Sequence, residues 1–333
     1  MAILITGGAG YIGSHTVYEF IDAGYEVVVV DNLSTGFLET LPQDISFYNG
    51  NIADTDLIDR IFSDHRIDTV LHFAGSIVVP ESVENPLKYF ENNTAASFSL
   101  LKSCIKNSIK NFIFSSTASV YGSNPKGIME ESYAPSPENP YAASKLMTEM
   151  MIKDISQAHG LNYIILRYFN VAGADTKLRT GQMKKDATHL IKVACQAAVG
   201  IRPNLHIYGT DYPTPDGTCV RDYIHVSDLA NAHLKAYKSL ANGHIKNKIY
   251  NCGYGYGFSV MEVIQQVEKI AGLELTKIYS DRRAGDPVSL IANSQLLQTE
   301  TGWSPQYDDL DKIILSALIW EKTINNKTRK LAV

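Results

Sequence analysis

An α/β fold built on a doubly wound parallel sheet is predicted for this chain of 333 residues, on three observations. Short apolar runs without alternation, the pattern of strands buried on both faces, recur between Ala2 and Arg167. Helical stretches separate them, and regular alternation of strand and helix through about residue 174 gives a parallel sheet. The first run leads directly into a glycine-rich turn, and an acidic residue closes the second. The expected division is a sheet unit over 1–174, to which segments near 221–250 return, and a smaller mixed α/β lobe over 175–333.

Taken in order, Ala2 to Thr6 is the first strand, and Gly7, Gly10 and Gly13 follow at G-x-x-G-x-x-G spacing. Such glycines let backbone approach a pyrophosphate, and the helix expected from Ser14 to Ala23 offers it free N–H groups. Glu26 to Val30 is the second strand, ending in Asp31. An acidic side chain there binds ribose hydroxyls and repels a 2′-phosphate, which favours NAD over NADP. Phe47 to Ile52 reads as a third strand with the loop beyond it, placed near adenine. Asp68 to Gly75 is the fourth, and His72 within it is expected to be packed and hydrogen-bonded rather than catalytic. A helical pattern covers 86–107, and Asn111 to Phe114 is the fifth strand, with Ser115-Ser116-Thr117 at its exit.

After a proline-marked loop comes Tyr141-Ala-Ala-Ser-Lys145. Residues four apart share a helix face, so an ammonium would stand beside a phenol and favour its phenolate, a base near neutral pH. The pair is common by chance; it gains meaning from the glycine fingerprint before it and from the hydroxyl offered by Thr117. This helix has a broad apolar stripe at 146, 147, 150, 151, 152 and 155. Asn162 to Arg167 is the sixth strand, and 175–186 reads as a polar surface loop. Helices are expected over 187–199, 227–240, from Ser259 to Gly272 behind a Ser259-x-x-Glu262 capping box, and over 309–324 before a basic, frayed tail. Short strands are expected at Arg221–Val226 and Lys248–Asn251. Gly253-x-Gly255-x-Gly257 reads as a turn, and Arg282-Arg283-Ala284-Gly285-Asp286 as a polar loop that either grips a diphosphate or is solvated.

A net charge of -5 gives no field for nucleic acid or an anionic membrane, and no apolar run is long enough to span a bilayer. The start of the chain does not read as a signal peptide, and the four scattered cysteines read as reduced thiols, so a cytoplasmic location is expected. No metal site is expected.

With these residues in hand, the chain resembles the extended short-chain dehydrogenase/reductase family, with its Rossmann-type sheet, and within it the UDP-glucose 4-epimerases. The resemblance rests on Thr6 to His15, Asp31-Asn32-Leu33, His72 to Gly75, Tyr121-Gly122, Pro140 to Lys145, and Leu166 to Asn170. Asp211 to Thr214, Asp216 to Thr218, Val220 to Val226 and Arg282 to Asp286 complete it. It implies a tightly held NAD that is reduced and reoxidised within each turnover. Tyr141 would take the proton of the sugar 4-hydroxyl, Lys145 would lower the phenol pKa and hold the nicotinamide ribose, and Thr117 would supply the second hydroxyl. The 4-keto sugar would then swing about its diphosphate and take the hydride back on its other face. Cofactor contacts are implied for Gly7, Gly10, Tyr11, Ile12, Gly13, Asp31, Asn32, Asn51, Ile52, Phe73, Ala74, Gly75, Asn92, Ser115, Tyr141, Lys145 and Tyr168. UDP-sugar contacts are implied for Thr117, Tyr141, Asn170, His189, Leu190, His206, Tyr208, Arg221, Arg283, Asp286 and Leu290. A homodimer joined through helices near 92–107 and 142–158 is also implied.

The chain departs from the family pattern in several places. Thr117 stands where serine is usual, Asn51 where Asp is usual near adenine, and His189 where Asn is usual. Ile77 replaces a lysine, removing one phosphate contact and predicting weaker NAD retention. Leu290 occupies the position where a bulky Tyr excludes N-acetylhexosamines and a small residue admits them. Epimerisation of a UDP-N-acetylhexosamine or UDP-pentose is therefore the alternative. A 4,6-dehydratase is disfavoured because Ala118-Ser119, not Asp-Glu, follow Thr117. A non-catalytic redox sensor is disfavoured because Tyr141 and Lys145 are both present.

Overall fold

The computed structural model describes residues 1–123, 127–283 and 286–331, with side chains described through 326. Ala284 and Gly285 of the arginine motif, and the last two residues of the basic tail, lie outside the described residues.

The first half runs β1 (Ala2–Thr6), α1 (Tyr11–Asp22), β2 (Val27–Asp31), β3 (Ser46–Asn49), α2 (Thr55–Asp64), β4 (Ile67–His72), α3 (Val79–Glu84) and α4 (Pro86–Tyr89). A π-helical segment (Phe90–Ala95) leads into α5 (Ala96–Lys106), then β5 (Asn111–Thr117), β6 (Ile128–Met129), α6 (Pro140–His159), β7 (Asn162–Tyr168) and β8 (Asn170–Ala172). The rest is α7 (Leu190–Ala198), β9 (Leu205–Tyr208), β10 (Val220–Arg221), β11 (Tyr223–His225), α8 (Val226–Ala241), β12 (Lys248–Cys252) and β13 (Phe258–Ser259). After these come α9 (Val260–Ala271), β14 (Lys277–Ser280), β15 (Ser289–Ala292), α10 (Gln295–Thr301) and α11 (Leu310–Leu331).

Seven parallel strands form the main sheet in the order β3-β2-β1-β4-β5-β7-β12. The order reverses direction at β1, so the loops after β1 and β4 diverge and leave a crevice at the C-terminal edge. Strand residues alternate between two cores. Ile3, Ile5, Val27, Val29, Ile113, Ile164 and Leu166 meet Val17 and Phe20 of α1 and Leu229 of α8. Leu4, Val28, Val30, Phe112, Phe114 and Ile165 meet Ile58 and Ile61 of α2, Leu100 and Leu101 of α5, and Ile152 of α6. Burial on both faces explains the unbroken apolar runs.

β12 joins the edge of this sheet beside β7, and α8 packs on its first face, so the chain returns to the sheet after leaving it. The smaller lobe has its own core of Ile191, Ile207, Val263, Ile264, Ile313 and Ile314. It carries a four-stranded sheet, β13-β10-β15-β6, and the pair β9-β14; the pair β8-β11 continues the exit of β7. Asp222 ties the two regions together: its buried carboxylate accepts the amides of Tyr254 (2.9 Å), Gly255 (3.0 Å) and Ala292 (3.1 Å). Burial raises its pKa to about 6 against the pull of those three bonds.

Several elements differ from expectation. β5 continues through Ser115-Ser116-Thr117, because these polar residues pair with Leu166-Arg167-Tyr168 and are themselves buried. The third strand starts one residue earlier, at Ser46, and ends at Asn49 with the expected loop beyond it, where Ile52 packs in the core. The 86–107 helix contains the π segment. The segment expected as a surface loop is docked on α1, where the Thr180 hydroxyl meets Ser14 Oγ (2.7 Å) and Arg179 reaches Asp22 (3.0 Å). The 253–257 segment is a turn as expected, and all four cysteines are free and buried. Among the described residues no helix is long and apolar enough to cross a membrane.

The capping box at Ser259 forms as expected: the hydroxyl accepts the Glu262 amide (3.0 Å) and Glu262 accepts the Ser259 amide (2.7 Å). Ser259→Ala is expected to cost about 1 kcal/mol, read as a lower midpoint of thermal unfolding. An unchanged midpoint would mean that the cap contributes nothing.

Candidate active site

The glycine turn is close-packed backbone. A Cβ on Gly7 would lie 2.6 Å from the Ala74 amide nitrogen, and one on Gly13 would lie 2.2 Å from the Gly7 carbonyl oxygen. Gly7 also has φ +69°, where a side chain is strained. These contacts bring the turn after β1 against the exit of β4. The helix behind it, α1, starts from Gly10 with no side-chain cap, so its first N–H groups remain open to an anion. Asp31 lies at the end of β2; its carboxylate accepts the amides of Ala9 (3.0 Å) and Leu33 (2.8 Å). Each oxygen keeps a lone pair for a ribose hydroxyl. A glycine cradle, an open helix end and an acidic partner fit a dinucleotide without a 2′-phosphate. Tyr11 and Ile12 sit in the first turn of α1, the tyrosine donating to the Gly173 carbonyl (2.7 Å) and the isoleucine packing on the first core.

At the exposed far end, Asn32 accepts the Ser34 amide (3.0 Å) and Asn51 the Ala53 amide (2.9 Å), each closing a local turn. Ile52 is buried behind Asn51. On the other side of the crevice, Phe73 packs against the His233 ring at 4.7 Å. Gly75 lies beside Lys145 and Asn93; a Cβ there would be 3.5 Å from Nζ and 3.1 Å from the Asn93 amide oxygen. Asn92 donates to Ser76 Oγ (3.1 Å), while buried Asn93 accepts the Ser76 amide (2.7 Å) and donates to its carbonyl (3.0 Å). Asn93 therefore fixes the loop in which Ile77 stands exposed.

α6 starts at Pro140, with Asn139 capping the Ala142 amide (2.9 Å), and ends at left-handed Gly160. Its buried face is polar: Tyr141, Ser144, Lys145, Thr148 and Glu149. The Thr117 hydroxyl lies beside the Tyr141 phenol and favours its ionised form. Lys145 Nζ donates to the Ser115 carbonyl (3.0 Å) and lies 4.9 Å from the Phe114 ring centroid. Ser115 Oγ is hydrogen-bonded to the Tyr168 hydroxyl. Burial raises the Tyr141 pKa against the pull of the Thr117 hydroxyl, while the Lys145 ammonium donates to Ser115. Lys145 itself is brought down to about 8 by burial, against the pull of Glu149.

His72 is packed and hydrogen-bonded. Ser97 Oγ donates to the Asn93 carbonyl (2.5 Å), so it accepts from His72 Nε2 (2.7 Å), and His72 Nδ1 accepts from Thr6 Oγ1 (2.7 Å). The ring is thus the neutral Nε2–H tautomer, and burial lowers its pKa to about 3.

The residues matched to UDP fall into two groups. Arg221 on β10 donates to the carbonyls of Val220 (2.9 Å) and Pro287 (2.8 Å) and meets Asp286 at 3.4 Å. The Arg283 guanidinium lies 3.7 Å over the Tyr208 ring, which stacks on His206. Leu290 pairs with Arg221 across β10–β15 and packs with Ala118, Val120 and Phe169 just beyond Thr117. In the second group Asn170, His189 and Leu190 line one cavity with Gln182, Tyr223 and Glu321. His189 Nδ1 is 3.0 Å from Gln182 Nε2; burial, then Lys184 and Lys192, hold its pKa below the usual histidine value. Sequence reasoning missed Asn93, Gln182 and Glu149; Arg282, already singled out in the arginine loop, pairs its guanidinium with Asp211 (2.6 Å) over the Tyr212 ring. For Glu149 a signal existed: with 141, 145 and 148 it forms a polar stripe at helical spacing.

A dinucleotide cradle facing a Tyr–Lys helix and a strand-end hydroxyl defines a nicotinamide-dependent enzyme of the reductase type. Residues 3–253 match the model of the NAD dependent epimerase/dehydratase family, and the chain belongs to that family. It is 53% identical over 323 residues to a UDP-glucose 4-epimerase of Azospirillum brasilense, covering 97% of this chain and 92% of that one. A crystal structure of the UDP-glucose 4-epimerase from Brucella ovis in complex with NAD superposes with TM-score 0.92 at 42% identity, covering 96% and 97% of the two chains. The structure of the UDP-Glc/GlcNAc 4-epimerase from Campylobacter jejuni superposes with TM-score 0.84 at 44% identity, covering 97% and 99%.

Ile77 is half-exposed beside this cradle and brings no charge to it. Ile77→Lys is expected to tighten NAD retention about tenfold, the effect of one charged hydrogen bond, measured as bound NAD after gel filtration. Equal retention in both proteins would show that position 77 does not reach the cofactor.

Proposed function

We propose that this protein interconverts UDP-glucose and UDP-galactose by epimerisation at C4, with bound NAD. The observation that carries this reading is the buried Tyr141–Lys145 pair of α6 with Lys145 held on the exit of β5 beside Thr117, at the sheet edge where the glycine turn opens. Residues 1–174, with the returning segments near 221–250, hold the cofactor, and 175–333 mainly hold the UDP-sugar.

NAD, held by the glycine turn and Asp31, would supply the hydride acceptor for C4. Burial favours the neutral phenol of Tyr141, and the neighbouring Thr117 hydroxyl opposes it. Lys145 is the cation on the same helix face and favours the phenolate. Tyr141 then takes the proton from O4 as C4 is oxidised and returns it when the ketone is reduced. Thr117 orients O4 by hydrogen bonding. Arg221 and Arg283 hold the diphosphate, with Asp286 aligning Arg221. Asn170, His189, Leu190, His206 and Tyr208 hold the rest of UDP, and the hexose lies against Leu290. This division suits a firm grip on UDP and a loose one on a sugar that must turn over.

A second reading, action on UDP-N-acetylhexosamine, is favoured by Leu290, which is smaller than the tyrosine that excludes the N-acetyl group. The C. jejuni relative is named for both sugar classes. The test is turnover of UDP-galactose beside UDP-N-acetylgalactosamine, with product identified and no net NAD consumed. UDP-glucose formation is expected, and Tyr141→Phe is expected to lower it at least ~100-fold with little change in folding. Unchanged turnover in that variant would remove Tyr141 from the mechanism.

We also propose that two copies pair through α5 and α6. Phe98, Met147 and Met150 are exposed on these helices, so part of the broad apolar stripe of α6 faces outward. Sedimentation should give twice the chain mass; a monomer would rule the pairing out.

A further inference from the structure

The mechanism above uses Tyr141, Lys145 and Thr117 and leaves unused the charged pair beneath them. Glu149 lies one helical turn beyond Lys145 on α6 and is completely buried. Arg167 on β7, 1% exposed, donates to it through Nε (3.0 Å) and Nη2 (2.6 Å). Ser116 Oγ donates to the same carboxylate (2.5 Å). Ser116 and Arg167 are paired in register on β5 and β7, so Glu149 pins α6 to both strands at one level. The residue before Ser116 carries the carbonyl that receives Lys145, and the residue after it is Thr117.

We propose that Glu149 is a positioning residue for Lys145: clamped by Arg167 and Ser116 one helical turn away, its carboxylate fixes α6 against β5 so that the ammonium meets the Ser115 carbonyl. The inference rests on the role given to Lys145 above. The titratable groups around that ammonium are Tyr141 and Glu149 on α6, His72 on β4, Arg167 and Tyr168 on β7, and Tyr89, whose ring meets Tyr141. His72 is neutral by its hydrogen bonds, and burial holds all three tyrosines as phenols. Glu149 is the carboxylate of this group. Its charge opposes the burial that brings Lys145 down. The bonds from Arg167 and Ser116 hold the carboxylate immobile, so its effect is fixed by geometry.

The sign follows directly. Lys145 acts as a cation, so activity is lost as pH rises through its pKa. Removing the carboxylate lowers that pKa, and the loss begins at lower pH. The experiment compares the wild type with Glu149→Gln, Glu149→Gln/Arg167→Gln and Ser116→Ala. The double variant removes both buried charges, and so folds even if the lone arginine of the single variant prevents folding. Two readouts are taken: the pH profile of kcat of the NAD-loaded enzyme, and the titration of Lys145 in ¹³C-lysine-labelled full chain, with and without NAD. In the two variants carrying Glu149→Gln, both the alkaline limb of kcat and the NMR midpoint should fall by about one pH unit or more. Ser116→Ala, which keeps the charge, should leave the midpoint in place. A folded Glu149→Gln variant with an unmoved midpoint overturns the proposal, as does a lower kcat whose alkaline limb stays where it was. If the proposed reaction itself were wrong, the wild type would form no epimerised product, yet the NMR midpoints would still report on Glu149.

Discussion

Two charges held out of water at the bottom of the crevice set the frame for everything above them. Burying Glu149 and Arg167 carries a desolvation cost of several kcal/mol per ion, and only good geometry offsets it. Here the offset comes from a bidentate contact and the Ser116 hydroxyl. The remaining Arg167 nitrogen, Nη1, has no hydrogen-bond partner, and the guanidinium lies 4.9 Å from the Tyr121 ring centroid. Tyr121 in turn donates to Asn251 of β12 (2.8 Å). One polar chain thus runs from α6 through β5 and β7 to the last strand of the sheet. Losing either ion would leave the other buried and unpaired, at a cost of about 3–5 kcal/mol.

Much of this was legible in the residues. The glycine spacing, the Asp31 position and the alternation of apolar runs with helices give the sheet and its cofactor edge, because parallel strands and phosphate turns both have local signatures. Tyr141 and Lys145 show themselves by spacing. Other features depend on partners far away in the chain. Ser115-Ser116-Thr117 looks like a strand exit until it is paired with Leu166-Arg167-Tyr168. Glu149 looks like a solvated helix residue until Arg167 is placed opposite. β6, β10 and β13 are only two residues long and carry no period to read. Sequence alone also leaves 55–64 unassigned, although α2 buries Leu57, Ile58 and Ile61 on one face.

The phenol illustrates how proximity along a helix and electrostatic effect differ. Tyr141 and Lys145 share a face as their spacing requires, yet the ammonium spends its hydrogen bond on a strand carbonyl. Burial raises the pKa of the phenol, and the Thr117 hydroxyl beside it works the other way.

The chain also crosses between its two regions repeatedly. It leaves the sheet after β7, pairs β8 with β11, re-enters through α8 and β12, and leaves again. The 175–182 segment is stitched to α1, and Asp222 is stitched to strands on both sides. Crossings of this kind tie the two regions together at several points among the described residues. At the outer edge of the smaller lobe the Arg283 and Arg282 guanidiniums rest on the Tyr208 and Tyr212 rings, so two cations there are held flat by aromatic faces.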